Sequence, residues 1–251
     1  MFEHVRASIQ GFVKIIDKET GEVLVDTHND VLYGNLSAAL AHALIGNPNS
    51  FLFYMAFGNG GAYVGTTGSI TYKPSLGGPG SLIKNPTANL YNTIFVKKLS
   101  NDSTDPSNYD PFSKAYIPTD NPATNYEDII VDVTLGYNEP PTSSSLTNPI
   151  LESTIDNSSF AGSTTSTDGV SSANTMVFNE IGLFSGSDDL FTGSYTATTD
   201  EVNSFINQSS DFSDGSKSKL MLTHVIFHPV QKSANRSLQI IYTLRIQMGA
   251  L

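Results

Sequence analysis

The chain has no cysteine among its 251 residues, which excludes disulfides, thiolate zinc sites, iron–sulfur clusters and cysteine nucleophiles together. Its cohesion must come from packing or assembly. Tryptophan is absent as well, which weakens the case for a sugar-stacking cleft flanked by paired carboxylates, although eleven tyrosines remain. Charge is scarce and one-sided: charged residues make up 15%, and 13 basic against 24 acidic side chains give a formal charge of −11. Such a balance opposes non-specific attraction to phosphate backbones, so no direct nucleic-acid partner is expected. No apolar run approaches the roughly 18 residues that a membrane helix needs. The opening Met1-Phe2-Glu3-His4-Val5-Arg6 has mixed charge and no apolar stretch after it, so neither a membrane nor a secretory leader is expected. The expectation is a chain made and folded in a cytosol.

Hydrophobic residues are 39% of the chain, and Ser, Thr, Asn, Gly and Pro fill the balance. That is the profile of a turn-rich β protein, not of a coiled coil or helical bundle. Gly11–Asp17 and Glu22–Asp26 are β-branched and apolar, joined by Lys18-Glu19-Thr20-Gly21, and read as a β-hairpin. From Val31 to Ile45, Leu36, Leu40 and Leu44 recur every four residues among alanines. This predicts a helix with a core-facing leucine stripe, capped by Asn29 or Asp30 and ended by Gly46. Further strands are predicted at Phe51–Phe57, Asn92–Lys98, Asp128–Leu135, Met176–Phe184, Leu220–Pro229 and Ser237–Gln247. Between them lie long polar segments at about 62–90, 100–127, 139–175 and 185–219. The reading is a mainly β protein: a single antiparallel β-sandwich domain spanning 1–251, jelly-roll-like, with one helix near the N-terminus and long irregular loops.

Chemistry-bearing patterns are few. Gly58-Asn59-Gly60-Gly61 follows a strand but precedes Ala62-Tyr63-Val64, not a helix opening with Lys-Ser/Thr, so it reads as a tight turn needing positive φ and not as a phosphate cradle. Gly182-Leu183-Phe184-Ser185-Gly186 lacks the spacing of a serine nucleophile elbow. His224 and His228 share a strand face with Ile226, yet four residues of strand separate them by about 13 Å, too far for one metal. Asp102, Asp105 and Asp110, or Asp188 and Asp189, are candidate calcium ligands, but none follows an EF-hand pattern and solvated acidic loops are the simpler reading. No catalytic, cofactor or metal residue is assigned. With Glu127 these acidic positions are instead a candidate interface for a basic partner.

Three segments in order resemble a type of tailed-bacteriophage virion protein. They are Gly21-Glu22-Val23-Leu24-Val25 with Asn29-Asp30-Val31 and the Ala/Leu helix; Phe53–Gly61, carrying an "fGnGG" turn in Gly58, Gly60 and Gly61; and Phe178–Phe184, an "nEigLF" strand in Glu180, Gly182 and Phe184, before the closing strands Thr223–Phe227 and Leu238–Leu244. The resemblance covers about half of the chain. It implies a non-enzymatic structural role in several copies at the neck, collar, tail or baseplate, with itself and other virion proteins as partners and the virion as final location. A capsid decoration protein is an alternative within the class, and a receptor- or glycan-binding module or a hydrolase lies outside it. The acidic charge yields one direct expectation: at low salt, a gel-shift assay with duplex DNA shows no complex, whereas tight binding there would overturn the reading of a subunit that does not touch nucleic acid.

Overall fold

The computed structural model describes residues 5–64, 68–78, 81–100, 112–118, 124–137, 139, 176–186, 219–233 and 235–250. Among them are eleven strands: β1 Val5–Asp17, β2 Val23–Val31, β3 Leu52–Gly58, β4 Ala62–Val64, β5 Ile70–Tyr72, β6 Thr93–Lys98, β7 Ser113–Tyr116, β8 Tyr126–Leu135, β9 Met176–Ser185, β10 Leu220–Lys232 and β11 Leu238–Ala250. One α-helix, α1, runs over Tyr33–Leu44. Nine strands form one sheet in the order β6-β3-β9-β10-β2-β1-β11-β8-β7, every neighbouring pair antiparallel. The fold is therefore mainly β, antiparallel and sandwich-like.

The sheet nearly closes on itself, and β2 makes the corner. Its Val23–Asn29 portion pairs with β1, while Asp30 and Val31 pair with His224 and Thr223 of β10. At the opposite seam, just beyond β6, the Ser100 amide donates to the Ser113 carbonyl at 2.8 Å and the Ala115 amide to the Ser100 carbonyl at 2.9 Å. The two halves of the sheet then face each other across an apolar core. One half supplies Met55, Phe57, Phe95, Phe178, Ile181, Leu183, Val225 and Phe227; the other supplies Val13, Ile15, Val131, Val133, Ile240 and Tyr242. Burial of this set is what drives the closure.

A second layer lies on the outer face of the β6-β3-β9-β10 half. There Leu32, Tyr54, Ala56, Val96, Phe184 and Met221 pack with Ala88 and Leu90 of the irregular stretch that precedes β6. Beside them Leu36 and Ala39 of α1 pack on Leu222 and Val31. The helix departs from its expected stripe: it buries Asn35, Leu36 and Ala39, while Leu40 is 41% and Leu44 89% exposed. Its start also differs, because Asn29 and Asp30 belong to β2, and Leu32 at the cap position makes no side-chain bond. Ser81 acts from 48 residues away: its hydroxyl accepts the Tyr33 amide at 3.2 Å and its carbonyl accepts the Gly34 amide at 2.9 Å. Gly46, at φ +79°, follows the helix end as expected.

Two segments read as loops contain strands. The 62–90 stretch holds the β4–β5 pair, and 100–127 holds β7 and the first residues of β8. On β9, Phe178 and Phe184 share sequence parity but face opposite sides, the first in the inner core and the second in the outer layer. The break lies at Asn179-Glu180, where pairing with β10 shifts between Ile226 and Val230, and not at Gly182. Phe184→Ala is expected to cost about 3–5 kcal/mol, and Leu44→Ala to stay within about 0.5 kcal/mol of wild type. Urea denaturation of both variants checks this; equal costs would contradict the two-layer assignment.

Candidate functional site

Where β10 carries extra residues between Ile226 and Val230 and the β9–β10 register shifts, two consecutive polar side chains of β9, Asn179 and Glu180, meet the Gly-rich turn that ends β3. Both are buried. The Glu180 carboxylate accepts the Gly60 and Asn92 amides on Oε1 at 3.0 and 2.9 Å, and the Tyr91 amide on Oε2 at 3.1 Å. Nε2 of buried His224, on β10, lies 3.1 Å from the same Oε2. Asn179 completes the junction: its Oδ1 accepts the Gly61 amide at 2.8 Å and its Nδ2 donates to the Asn59 carbonyl at 3.0 Å. Asn92 in turn donates its Nδ2 to Asn59 Oδ1 at 2.6 Å.

The tautomer of His224 follows from its other partner. The Leu76 amide, an obligatory donor, points at Nδ1 from 3.1 Å, so Nδ1 carries the lone pair and Nε2–H donates to Glu180. A paired carboxylate and imidazole is also the equipment of general acid–base catalysis. Here, however, each carboxylate oxygen already accepts two donors, which fills its acceptor capacity. Neither side chain reaches solvent. The arrangement satisfies irregular backbone; it does not present a proton to a substrate.

The glycines of the turn are there for close approach. A Cβ on Gly58 would sit 2.5 Å from Glu180 Oε1, and one on Gly60 2.7 Å from the Asn92 nitrogen. The expected positive φ is not found at Gly58, Gly60 or Gly61; among the described glycines it occurs at Gly21, Gly46, Gly68 and Gly78. Gly182 sits farther along β9, paired with Ala56 and His224, and a Cβ there would meet Leu90 and Phe184 at 3.0 Å. The two glycine-bearing motifs, more than a hundred residues apart in the chain, thus form one interlocked unit.

Of the other expected positions, Glu127 is exposed on β8 opposite Ile246, and Asp102, Asp105, Asp110, Asp188 and Asp189 lie outside the described residues. His228 is exposed, with Nδ1 3.1 Å from the Tyr72 hydroxyl, and does not converge with His224. Among the described residues no three His, Cys, Asp or Glu side chains gather as a metal site would require, and no helix is long and apolar enough to cross a membrane. Sequence reasoning missed Asn35, Asn179 and Asn92. The signal available for Asn179 was a polar pair interrupting an otherwise apolar strand.

Compared with known proteins, the chain matches no family model, no curated protein and no solved structure.

Glu180→Ala leaves three backbone N–H groups and one imidazole N–H without their acceptor, and Glu180→Gln turns an amide NH₂ toward two of those donors. Each variant should lose on the order of 3–5 kcal/mol, because several buried donors lose a charged acceptor at once. Chemical denaturation reads the loss, and a change below about 1 kcal/mol in both would mean that the carboxylate does not hold the turn.

Proposed function

We propose that the chain is a non-enzymatic structural subunit of a tailed-bacteriophage virion, assembled in several copies at the neck or collar, the tail or the baseplate. The observation that carries this reading is the meeting of the "fGnGG" and "nEigLF" segments around Glu180. The motifs that make the chain resemble such proteins belong to one architectural element. The buried acid–imidazole pair inside that element is committed to backbone amides, which suits a scaffold role. The sandwich-like fold is compatible with a subunit whose polar segments pack against neighbours. Its partners on this reading are copies of itself and other virion proteins, and it passes from the host cytoplasm into the particle without contacting packaged DNA.

Antibodies raised against the purified chain, applied to phage particles from the source of the sequence, test the proposal. Labelling confined to the neck, tail or baseplate, with a defined oligomer in light scattering, is the expected result. Labelling over the whole capsid surface would favour a decoration protein instead, and absence of the chain from purified particles would overturn the virion reading.

A further inference from the structure

A cavity of about 670 Å³ opens where the β1–β2 turn meets the end of β8 and the start of β11, beside β6. That volume lies in the range of small-molecule sites. One acidic residue lining it, Glu139, is held by two buried lysines, one at its carboxylate and one at its backbone carbonyl. Lys97, only 3% exposed, donates from Nζ to Glu139 Oε1 at 3.0 Å and to the Thr134 carbonyl at 2.9 Å. Lys232, fully buried, donates from Nζ to the Glu139 backbone carbonyl at 2.9 Å. The Gly136 amide adds a 2.7 Å bond to Oε2. Burying two ammonium groups is costly, and apolar side chains of similar size would stabilise the fold at least as well. What the lysines supply is position: Lys232 fixes the backbone of Glu139, and Lys97 with the Gly136 amide fixes its carboxylate at the cavity wall.

The rest of the lining has a definite chemistry. Phe112 and Tyr137 border the cavity, each 59% exposed. Glu19 accepts the Ser237 amide at 2.9 and 3.1 Å, and Lys18 lines the same cavity. Among the described lining residues Lys18 and Lys97 balance Glu19 and Glu139, so these carry no net charge. An anionic ligand would meet two carboxylates and find Lys97 already turned onto one of them. A cation would meet two ammonium groups. Aromatic surface next to alternating donors and acceptors instead suits a neutral molecule with one apolar face and a rim of hydroxyls. We propose that this cavity binds a neutral saccharide unit, its C–H face against Phe112 and Tyr137 and its hydroxyls on Glu19, Lys18 and Glu139.

The proposal does not depend on the chain's place in a particle, so its failure and that of the virion reading are separable. The test is an array of neutral hexose and N-acetylhexosamine oligomers alongside sialylated and phosphorylated ones, probed with the full chain, followed by calorimetry on the best neutral ligand. Binding to neutral glycans is expected, weakened at least tenfold in Phe112→Ala and in Tyr137→Ala. Circular dichroism establishes that these two exposed-position variants retain the fold; Lys18→Ala, remote from the core, provides a further variant with the same expected direction. No binding to any neutral glycan at millimolar concentration, binding restricted to the anionic glycans, or neutral binding that survives in all three variants would each overturn the proposal.

Discussion

Backbone amides that leave a sheet and remain buried must find acceptors, and in this protein the acceptors are side chains projecting from regular elements. The stretch between β5 and β6, whose described residues form no helix or strand, covers the outer face of one half-sheet. Glu180 from β9 takes the Tyr91 and Asn92 amides. His224 from β10 takes the Leu76 amide. Asn35 from α1 accepts the Asn85 amide at 2.7 Å and donates to the Asn85 and Met221 carbonyls. Three buried polar side chains from three elements therefore hold the stretch in register. Only with it in place are Leu90 and Ala88 brought onto Phe184 and Tyr54. The outer apolar layer and the polar junction are mutually dependent, since neither a bare apolar face nor an unpaired buried carboxylate would be tolerated alone.

The same dependence explains what was legible in the sequence. Strands rich in Val, Ile, Leu and Phe, such as those at Asp128–Leu135 and Leu238–Leu244, announce themselves through local pattern. The three- and four-residue strands β4, β5 and β7 fall below any pattern and are defined by their partners: β7 by β8 and Ser100, β4 and β5 by each other. The helix was legible as a helix, but its buried face was not. Four-residue leucine spacing points to a stripe through Leu36, Leu40 and Leu44, whereas the protein turns Asn35, Leu36 and Ala39 inward because Asn35 must reach Asn85 and Met221. At the junction the glycines stood out in the sequence, yet their purpose did not, because close approach to a carboxylate some 120 residues away leaves no local trace.

Closure of the sheet also bears on how copies meet. A strand edge offers unpaired peptide groups for another chain to join. Here the terminal strands β6 and β7 are brought together at Ser100, and β2 spans the other junction. Assembly in the proposed virion role would then rest on side-chain surfaces and polar segments more than on strand addition. Leu44, Ile45, Leu82 and Ile83 are apolar residues left open to solvent on the described surface.

The central claim is that the Gly-rich turn and the segment before β6 are structural members fixed by Glu180, and not ordinary surface loops. Native-state hydrogen exchange of the wild-type chain, read at the amides of Gly60, Gly61, Leu76, Tyr91 and Asn92, tests it most directly. The account predicts protection at these amides of the same order as at Ile181 and Leu183 in β9, with release only on global unfolding. Exchange at the rate of the exposed β1–β2 turn would contradict it.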